Sequence, residues 1–238
     1  MRIWALVALV LAVASIAAAT AMAEDGTAED AQLVDVSKQV AGIEKKMNDL
    51  LEHGRWAKTG ALLAGADCGY GEPSSFFSPW GDDATYMLAP QGDLSETDGW
   101  TLSKQARVAF SPDPFSGAGQ SLELAKGAEA ATPAMCVTLD HPTVRFFVRD
   151  SGGNEKSHLK VDVLYEDFGG HVKHLTIAKV TAGSEWQPSV IVPMYMNRLA
   201  LASPTGLTAV GFRFKAQGLQ KGETLSISSL YVDPFRSR

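Results

Sequence analysis

Cysteine is scarce in this chain, and so are the residue patterns that announce an enzyme. Among 238 residues there are two cysteines, Cys68 and Cys136, and five histidines. The cysteines lie too far apart for the short paired spacings of a structural zinc site, and they form no C-x-x-C redox motif. No G-x-S-x-G elbow occurs, so nothing supports a serine nucleophile on a strained turn. His171 and His174 are three apart in a run that reads as a strand, so their side chains face opposite ways and cannot share one ion. With His53, His141 and His158 they read as surface or turn residues, Glu166 being the expected partner of His171. Glycoside hydrolysis needs only two suitably spaced carboxylates. Asp82, Asp83, Glu96, Asp98 and Asp167 are candidates by type, but loop carboxylates are usually solvated or turn-forming. Gly152-Gly153 and Gly169-Gly170 open no helix and read as turns, not phosphate cradles.

Basic charge is also in short supply. There are 21 Lys and Arg against 27 Asp and Glu, a formal net charge of −6, which disfavours a nucleic-acid or other polyanion surface. Long apolar runs are missing with one exception, Ile3 to Ala19. Arg2 precedes that run, Ala21-Met22-Ala23 supplies small residues at both positions of an A-x-A site, and Glu24-Asp25 follows. This is the pattern of a secretory signal peptide over 1–23, cleaved after Ala23. The alternative is an uncleaved anchor, because the run is just long enough to span a bilayer. No cysteine follows it, so a lipoprotein anchor is excluded. No later segment is apolar enough to span, and the mature chain is expected to be soluble. Export to an oxidising compartment makes a Cys68–Cys136 disulfide the expected state. It would tie an N-terminal lead-in to the body of the fold, closing a loop worth roughly 4 kcal/mol in the chain-entropy model.

Along the mature chain, an acidic spacer and a helix fill 24–54. Leu33, Val36, Val40, Ile43, Met47 and Leu50 alternate steps of three and four, an a/d heptad seam, and Gly54 ends the pattern as a C-terminal cap would. Gly42 costs the helix about 1 kcal/mol relative to alanine. The seam needs a partner, either a second copy of the chain or the flank of its own β-domain. Residues 55–75 have no sustained period and read as a linker and lead-in. From Phe76 to the C-terminus, 76–238, short runs with period-two alternation are separated by Gly, Pro, Asp and Ser clusters. Eleven strands are predicted: Thr85–Leu88, Trp100–Leu102, Arg107–Phe110, Ser121–Leu124, Ala134–Thr138, Val144–Arg149, Leu159–Tyr165, Val172–Val180, Gln187–Met194, Thr208–Lys215 and Leu225–Val232. So many short strands imply a mainly β fold, an antiparallel β-sandwich. The clearest hairpin joins Leu159–Tyr165 to Val172–Val180 around Asp167-Phe168-Gly169-Gly170. Its first arm puts Leu159, Val161, Val163 and Tyr165 on a core face and Lys160, Asp162 and Glu166 on a largely wet one.

Aromatic residues offer the better functional lead. Trp80, Trp100 and Trp186, with the loop carboxylates Asp82 and Asp83, are the candidate ligand contacts, since an exposed indole stacks on a sugar ring while polar groups bond its hydroxyls. The competing reading is that these rings are buried in the sandwich core.

The stretch Pro79-Trp80-Gly81-Asp82-Asp83-Ala84-Thr85-Tyr86-Met87-Leu88-Ala89-Pro90-Gln91-Gly92-Asp93-Leu94, with Gly99-Trp100-Thr101-Leu102-Ser103, Val144-Arg145-Phe146-Phe147-Val148-Arg149 and the tail Tyr231-Val232-Asp233-Pro234-Phe235, resembles a group of secreted actinobacterial proteins. The likeness covers about Cys68 to Phe235. More distantly, the strand order resembles the galactose-binding-like jelly roll of many carbohydrate-binding modules. That resemblance implies a β-sandwich that binds glycans without cleaving them, often with a structural calcium. The segments that would hold the ion read here Gly92-Asp93-Leu94-Ser95 and Ile227-Ser228-Ser229-Leu230, with fewer carboxylates than calcium prefers. No cofactor is therefore expected. The reading is an exported, non-catalytic module for glycan or cell-envelope material. The alternative is a structural or assembly protein self-associating through Leu33–Leu50.

Overall fold

The computed structural model describes Ala41, Gly42 and residues 65–234 other than 118, 154, 155 and 168. The chain divides into one unit over Met1–Lys46 and another over Met47–Arg238. Of the first, Ala41 and Gly42 are described, and both are helical. The expected signal peptide over 1–23, the expected seam residues Leu33 to Leu50 and residues 55–64 lie outside the described residues.

The second unit is a jelly-roll β-sandwich of two antiparallel sheets. The first sheet contains β1 (Met87–Leu88), β3 (Ala106–Ala109), β4 (Ser121–Ala125), β7 (Thr143–Asp150), β10 (Gln187–Pro188), β11 (Val192–Pro193) and β13 (Thr224–Val232). Its spine runs β10-β7-β13-β4-β3, with β1 pairing β13 and β11 pairing β7. The second sheet contains β2 (Thr101–Leu102), β5 (Glu129–Ala131), β6 (Met135–Val137), β8 (His158–Glu166), β9 (Val172–Val180) and β12 (Thr208–Gln217). Its order is β2-β5-β12-β8-β9, with β6 also on β12. The chain crosses repeatedly from one sheet to the other, for example between β4 and β5, β7 and β8, and β12 and β13. Each step lets an alternating strand turn its apolar residues toward the opposite layer.

That alternation makes the core. Val144, Phe146 and Val148 of β7 face Val161 and Val163 of β8 and Phe212 and Phe214 of β12, all fully buried. Phe146 and Phe214 meet edge to face at 5.4 Å. The predicted hairpin forms as expected, and Gly170 takes φ +80° in its turn. The disulfide joins Cys68 to Cys136 of β6. Beside it, Asp67 N–H donates to Ala134 O at 2.9 Å and Cys136 N–H to Asp67 O at 3.1 Å. Among the described residues, no helix is long and apolar enough to cross a membrane.

The structure departs from the sequence reading in several places. The run Gln187–Met194 is two short strands, because Pro188 and Pro193 supply no N–H to the ladder. Between them Ser189 Oγ accepts from Phe146 N–H at 3.2 Å in place of a backbone carbonyl. Strand β5 and a 3-10 turn over Met196–Ala202 were not expected, the former because Glu129-Ala130-Ala131 has no β-branched or aromatic residue. His171 contacts Asp167, at 3.4 Å, in place of Glu166, because Asp167 Oδ1 already accepts the N–H groups of Gly169 and His171 and so sits beside the ring.

The wet face of β8 is not wet at Asp162. Its side chain is fully buried, enclosed by Arg213 of β12, which donates from two nitrogens at 3.1 and 2.6 Å, and by Thr176 Oγ1 of β9 at 2.7 Å. Lys160 Nζ stands at 3.4 Å. Burial by itself would raise the carboxyl's pKa, but the Thr176 and Arg213 hydrogen bonds and the two cations outweigh it and hold the group below its ordinary 3.8. Such a group stabilises the fold fully above the unfolded-state pKa and stops doing so as pH falls through the lower native value. Replacing Arg213 by Ala should lower the unfolding free energy at pH 7 by about 2–3 kcal/mol, since it leaves a buried carboxylate with two weaker partners. Urea melts between about pH 5 and pH 2 should show wild type losing stability relative to Asp162→Asn; parallel curves would contradict this account.

Candidate functional site

Strand β7 reads Thr-Val-Arg-Phe-Phe-Val-Arg-Asp over Thr143–Asp150. With Val144, Phe146 and Val148 inward, Arg145, Phe147 and Arg149 must point to the outer face of the first sheet. A phenylalanine flanked by two arginines on an outer face needs a cover. The segment from Ser74 to Tyr86 provides it, closed at its ends by reciprocal Ser74 and Tyr86 backbone hydrogen bonds of 2.9 and 2.8 Å. Within it a 3-10 turn over Ser78–Trp80 carries Pro79, whose fixed φ suits such a turn, and ends at Gly81 with φ +77°.

This cover drives Phe77 into a second, small core with Tyr86, Phe147 and Tyr231, against which Phe76, Ala84, Leu88 and Trp186 pack. Phe77 meets Tyr86 at 4.8 Å and Tyr231 at 5.5 Å, both edge to face, the arrangement that ring quadrupoles favour. Tyr231 reaches the outer face because β13 carries a bulge between Ser228 and Tyr231. One extra residue, Ser229 at φ +53°, turns Leu230 inward and Tyr231 outward. The loop packed on the bulge approaches so closely that a Cβ on Gly92 would fall 2.5 Å from Leu230 O.

Arg145 is the centre of this layer. It is buried, donates from Nη1 to Asp82 Oδ2 at 2.5 Å and from Nε to Ser189 O at 2.9 Å, and lies 4.5 Å over the Phe77 ring. Asp82 Oδ2 also accepts the Tyr86 hydroxyl at 2.8 Å, and Oδ1 accepts Ala84 N–H at 3.1 Å. Burial, with Asp82 beside it, pushes the Tyr86 phenol well up. The Tyr231 phenol is pushed up to about 12, by burial first and the Asp113 charge second. The layer thus stays neutral phenol and aromatic ring at every ordinary pH.

Two rings stand on top of it. Trp80 is 38% exposed and Phe115 45%; they meet edge to face at 4.7 Å, and each rests on Phe147, at 5.7 and 5.3 Å. Phe115 is held by Asp113, a buried carboxylate. Its Oδ1 accepts the N–H groups of Phe115 and Ser116 at 2.9 and 2.7 Å, and its Oδ2 accepts the hydroxyls of Ser116 and Ser228 at 2.5 and 2.6 Å. On the same loop Phe110 is 86% exposed.

Of the sequence-predicted contacts, Trp80 and Asp82 belong to this face and Asp83 is exposed beside it. The Asp82 carboxylate is taken up by Arg145, Tyr86 and Ala84. Trp186 lies at the edge of the layer beneath Arg149, whose guanidinium is 5.0 Å from its ring. Trp100 goes elsewhere, packing against the inter-sheet core and donating Nε1–H to Gln91 O at 3.3 Å. Phe115, Asp113 and Arg145 were not singled out from sequence. The Phe76-Phe77 doublet in an otherwise polar loop was the one signal of a second core.

The two segments weighed for calcium do lie together, Ala89 N–H donating to Leu230 O and Leu230 N–H to Gly92 O, both at 2.9 Å. Their donors do not fit the ion. Asp93 is bonded to Ser95, Ser228 to Asp113 and Ser229 to Ser116. Among the described residues, no three His, Cys, Asp or Glu side chains converge.

No family model matches the sequence, and no curated protein does. Some solved structures are similar to this chain, each with a TM-score below 0.5. The CBM22-1 xylan-binding domain of Paenibacillus barcinonensis Xyn10C is 11% identical over 73% of this chain and 99% of its own, with a TM-score of 0.43. A family 61 module, TmCBM61, solved with β-1,4-galactotriose, is 14% identical over 60% of this chain and 92% of its own, with a TM-score of 0.35. The active domain of bacteriophage CBA120 tailspike protein 4 is 12% identical over 60% of this chain, with a TM-score of 0.42. The matched part is 21% of the tailspike chain.

If Arg145 holds the aromatic layer together, Arg145→Met should lower stability by about 3 kcal/mol, because it strands the Asp82 carboxylate. It should also release Trp80, seen as a red-shifted tryptophan emission and a weaker near-ultraviolet circular dichroism. An unchanged urea midpoint with an unchanged spectrum would refute the assignment.

Proposed function

We propose that this chain is an exported, non-catalytic module that binds glycan or cell-envelope material through the outer face of its first sheet, with Trp80 and Phe115 as the contact rings. One observation carries the reading: two half-exposed aromatic rings are fixed edge to face on a buried aromatic layer. A soluble protein gains nothing in stability from leaving such rings in water, whereas rings already fixed lose little freedom when a ligand stacks on them. The rings lie on the outer face of a sheet, a surface that suits a stretch of polymer better than an engulfed small molecule.

The disulfide fits export, since such bonds persist in oxidising compartments. The modules similar in fold bind xylan or galactotriose. The ligand class proposed here coincides with theirs, yet the proposal rests on the rings. Nothing among the described histidines favours chemistry. His141 is stacked on Tyr70 at 5.3 Å and bonded to Thr138, and burial pushes its pKa down. His158 is bonded to Gln217.

An array of plant, microbial and envelope glycans probed with the full chain tests the reading. At least one polysaccharide class should bind, and Trp80→Ala and Phe115→Ala should each weaken that binding about tenfold or more while the fold persists. Binding indifferent to both substitutions would move the site off this face. No binding anywhere on the array would remove the function.

A further inference from the structure

Arg149 stands one outward position beyond Phe147 on β7 and has no carboxylate partner among the described residues. Its Nη2 donates to Ser111 Oγ at 3.0 Å and its central carbon lies 5.0 Å over the Trp186 ring, while its Nε is buried with no acceptor at all. Only four buried side-chain polar atoms of the described residues lack a partner, and three are here: Arg149 Nε, Ser226 Oγ and Ser121 Oγ. Ser226 is the cross-strand neighbour of both Arg149 and Glu123, and Ser121 is the next outward position along β4. Native proteins leave few such groups unpaired. The Arg149 Nε–H can only donate, so what it lacks is an acceptor, while the two serine hydroxyls can each donate or accept.

The surface beyond has the same bias. Along the same face, at the start of β13, is a depression of about 430 Å³ lined by Lys104, Arg107, Lys126, Lys221, Glu123 and Glu223. Glu123 is taken by Arg107, which donates from Nε and Nη2 at 2.9 and 2.7 Å, and Glu223 Oε2 accepts Gln220 N–H at 2.6 Å. With Arg149 the patch holds five cations against two committed carboxylates, on a chain whose net charge is −6. The overall charge argues against polyanion binding, but this face reverses its sign.

We infer that Arg149 and the basic depression form an anionic subsite that continues the Trp80–Phe115 face, so that the ligand is an acidic glycan whose uronate carboxylate is bound by the Arg149 guanidinium. A guanidinium fork matches a planar carboxylate through two parallel hydrogen bonds. The cation–π contact with Trp186 and the Ser111 hydrogen bond hold the guanidinium in place before the ligand arrives. The exposed lysines add long-range attraction for the neighbouring acidic units of the same polymer.

The inference rests on the glycan-binding reading above, and the experiment separates the two. The full chain is tested on immobilised polygalacturonate, a neutral galactan and dextran sulfate, at about 50 and 500 mM salt. Polygalacturonate should bind tightest at low salt. Arg149→Gln should weaken it about tenfold or more, and Arg149→Lys should not restore it, because an ammonium lacks the fork. The exposed pair Lys126→Glu with Lys221→Glu cannot disturb the core, and should weaken the uronate polymer at low salt and less at high salt. Neutral polymer bound in preference to polygalacturonate overturns the inference and leaves the glycan-binding reading standing; binding to no polymer removes both. Dextran sulfate bound as tightly as polygalacturonate, with Arg149→Gln no weaker than wild type, would show general charge attraction and also overturn it.

Discussion

A buried guanidinium organises the outside of this sandwich. Arg145 projects from the middle of β7 on the side away from the main core, where an unpaired charge would cost several kcal/mol. Three partners from two segments make it tolerable: the Asp82 carboxylate and the Phe77 ring from the cover, and the Ser189 carbonyl. Together they hold both segments on the sheet. Asp82 and Phe77 hold the cover loop, Ser189 holds the break between β10 and β11, and the aromatic layer closes over all of them. The same residue that would have made this face wet is the reason it is dry.

Function is proposed to follow from what the layer cannot bury. A cover of about a dozen residues has enough apolar surface to seal Phe77, Phe147 and Tyr231, and Trp80 and Phe115 are left on top with one side in water. Their positions are fixed from below by Phe147 and from the side by each other. Asp113 contributes in the same way through hydrogen bonds alone, anchoring the Phe115 loop to Ser228 and so to the bulge that turns Tyr231 outward. Asp82 and Asp113 are committed to structure, which leaves the rings above them as the groups that would meet a ligand.

The sandwich was legible in the sequence because strand alternation is local. Val172–Val180 can be bounded to the residue from its period and its glycine turn, and the Cys68–Cys136 pairing from the expected export and an even count. The aromatic face was only half legible. Trp80 stands out as an indole in a Pro-Trp-Gly-Asp-Asp turn, but Trp100 stands out equally and packs against the inter-sheet core. Nothing local distinguishes them, since the difference is that β7 offers Phe147 to one and the main core receives the other. Arg145 and Asp82 are 63 residues apart, and Phe115 meets Trp80 only because a bulge and a buried aspartate place its loop. Asp162 shows the same limit from the other side: the period puts it on the outer face, and only the register of β12 and β9 reveals that Arg213 and Thr176 enclose it there.

The outer face of the first sheet, at Trp80 and Phe115, is where ligand is proposed to bind. Nuclear magnetic resonance of the isotopically labelled chain, titrated with an oligosaccharide of whichever glycan it binds, tests this most directly. The account predicts that the Trp80 indole N–H and the Phe110 and Phe115 ring resonances shift together and saturably, while Trp100 and the outer residues of β8, β9 and β12 do not move. Shifts concentrated at His174, Lys215 and their neighbours on the opposite sheet, with Trp80 unchanged, would contradict it.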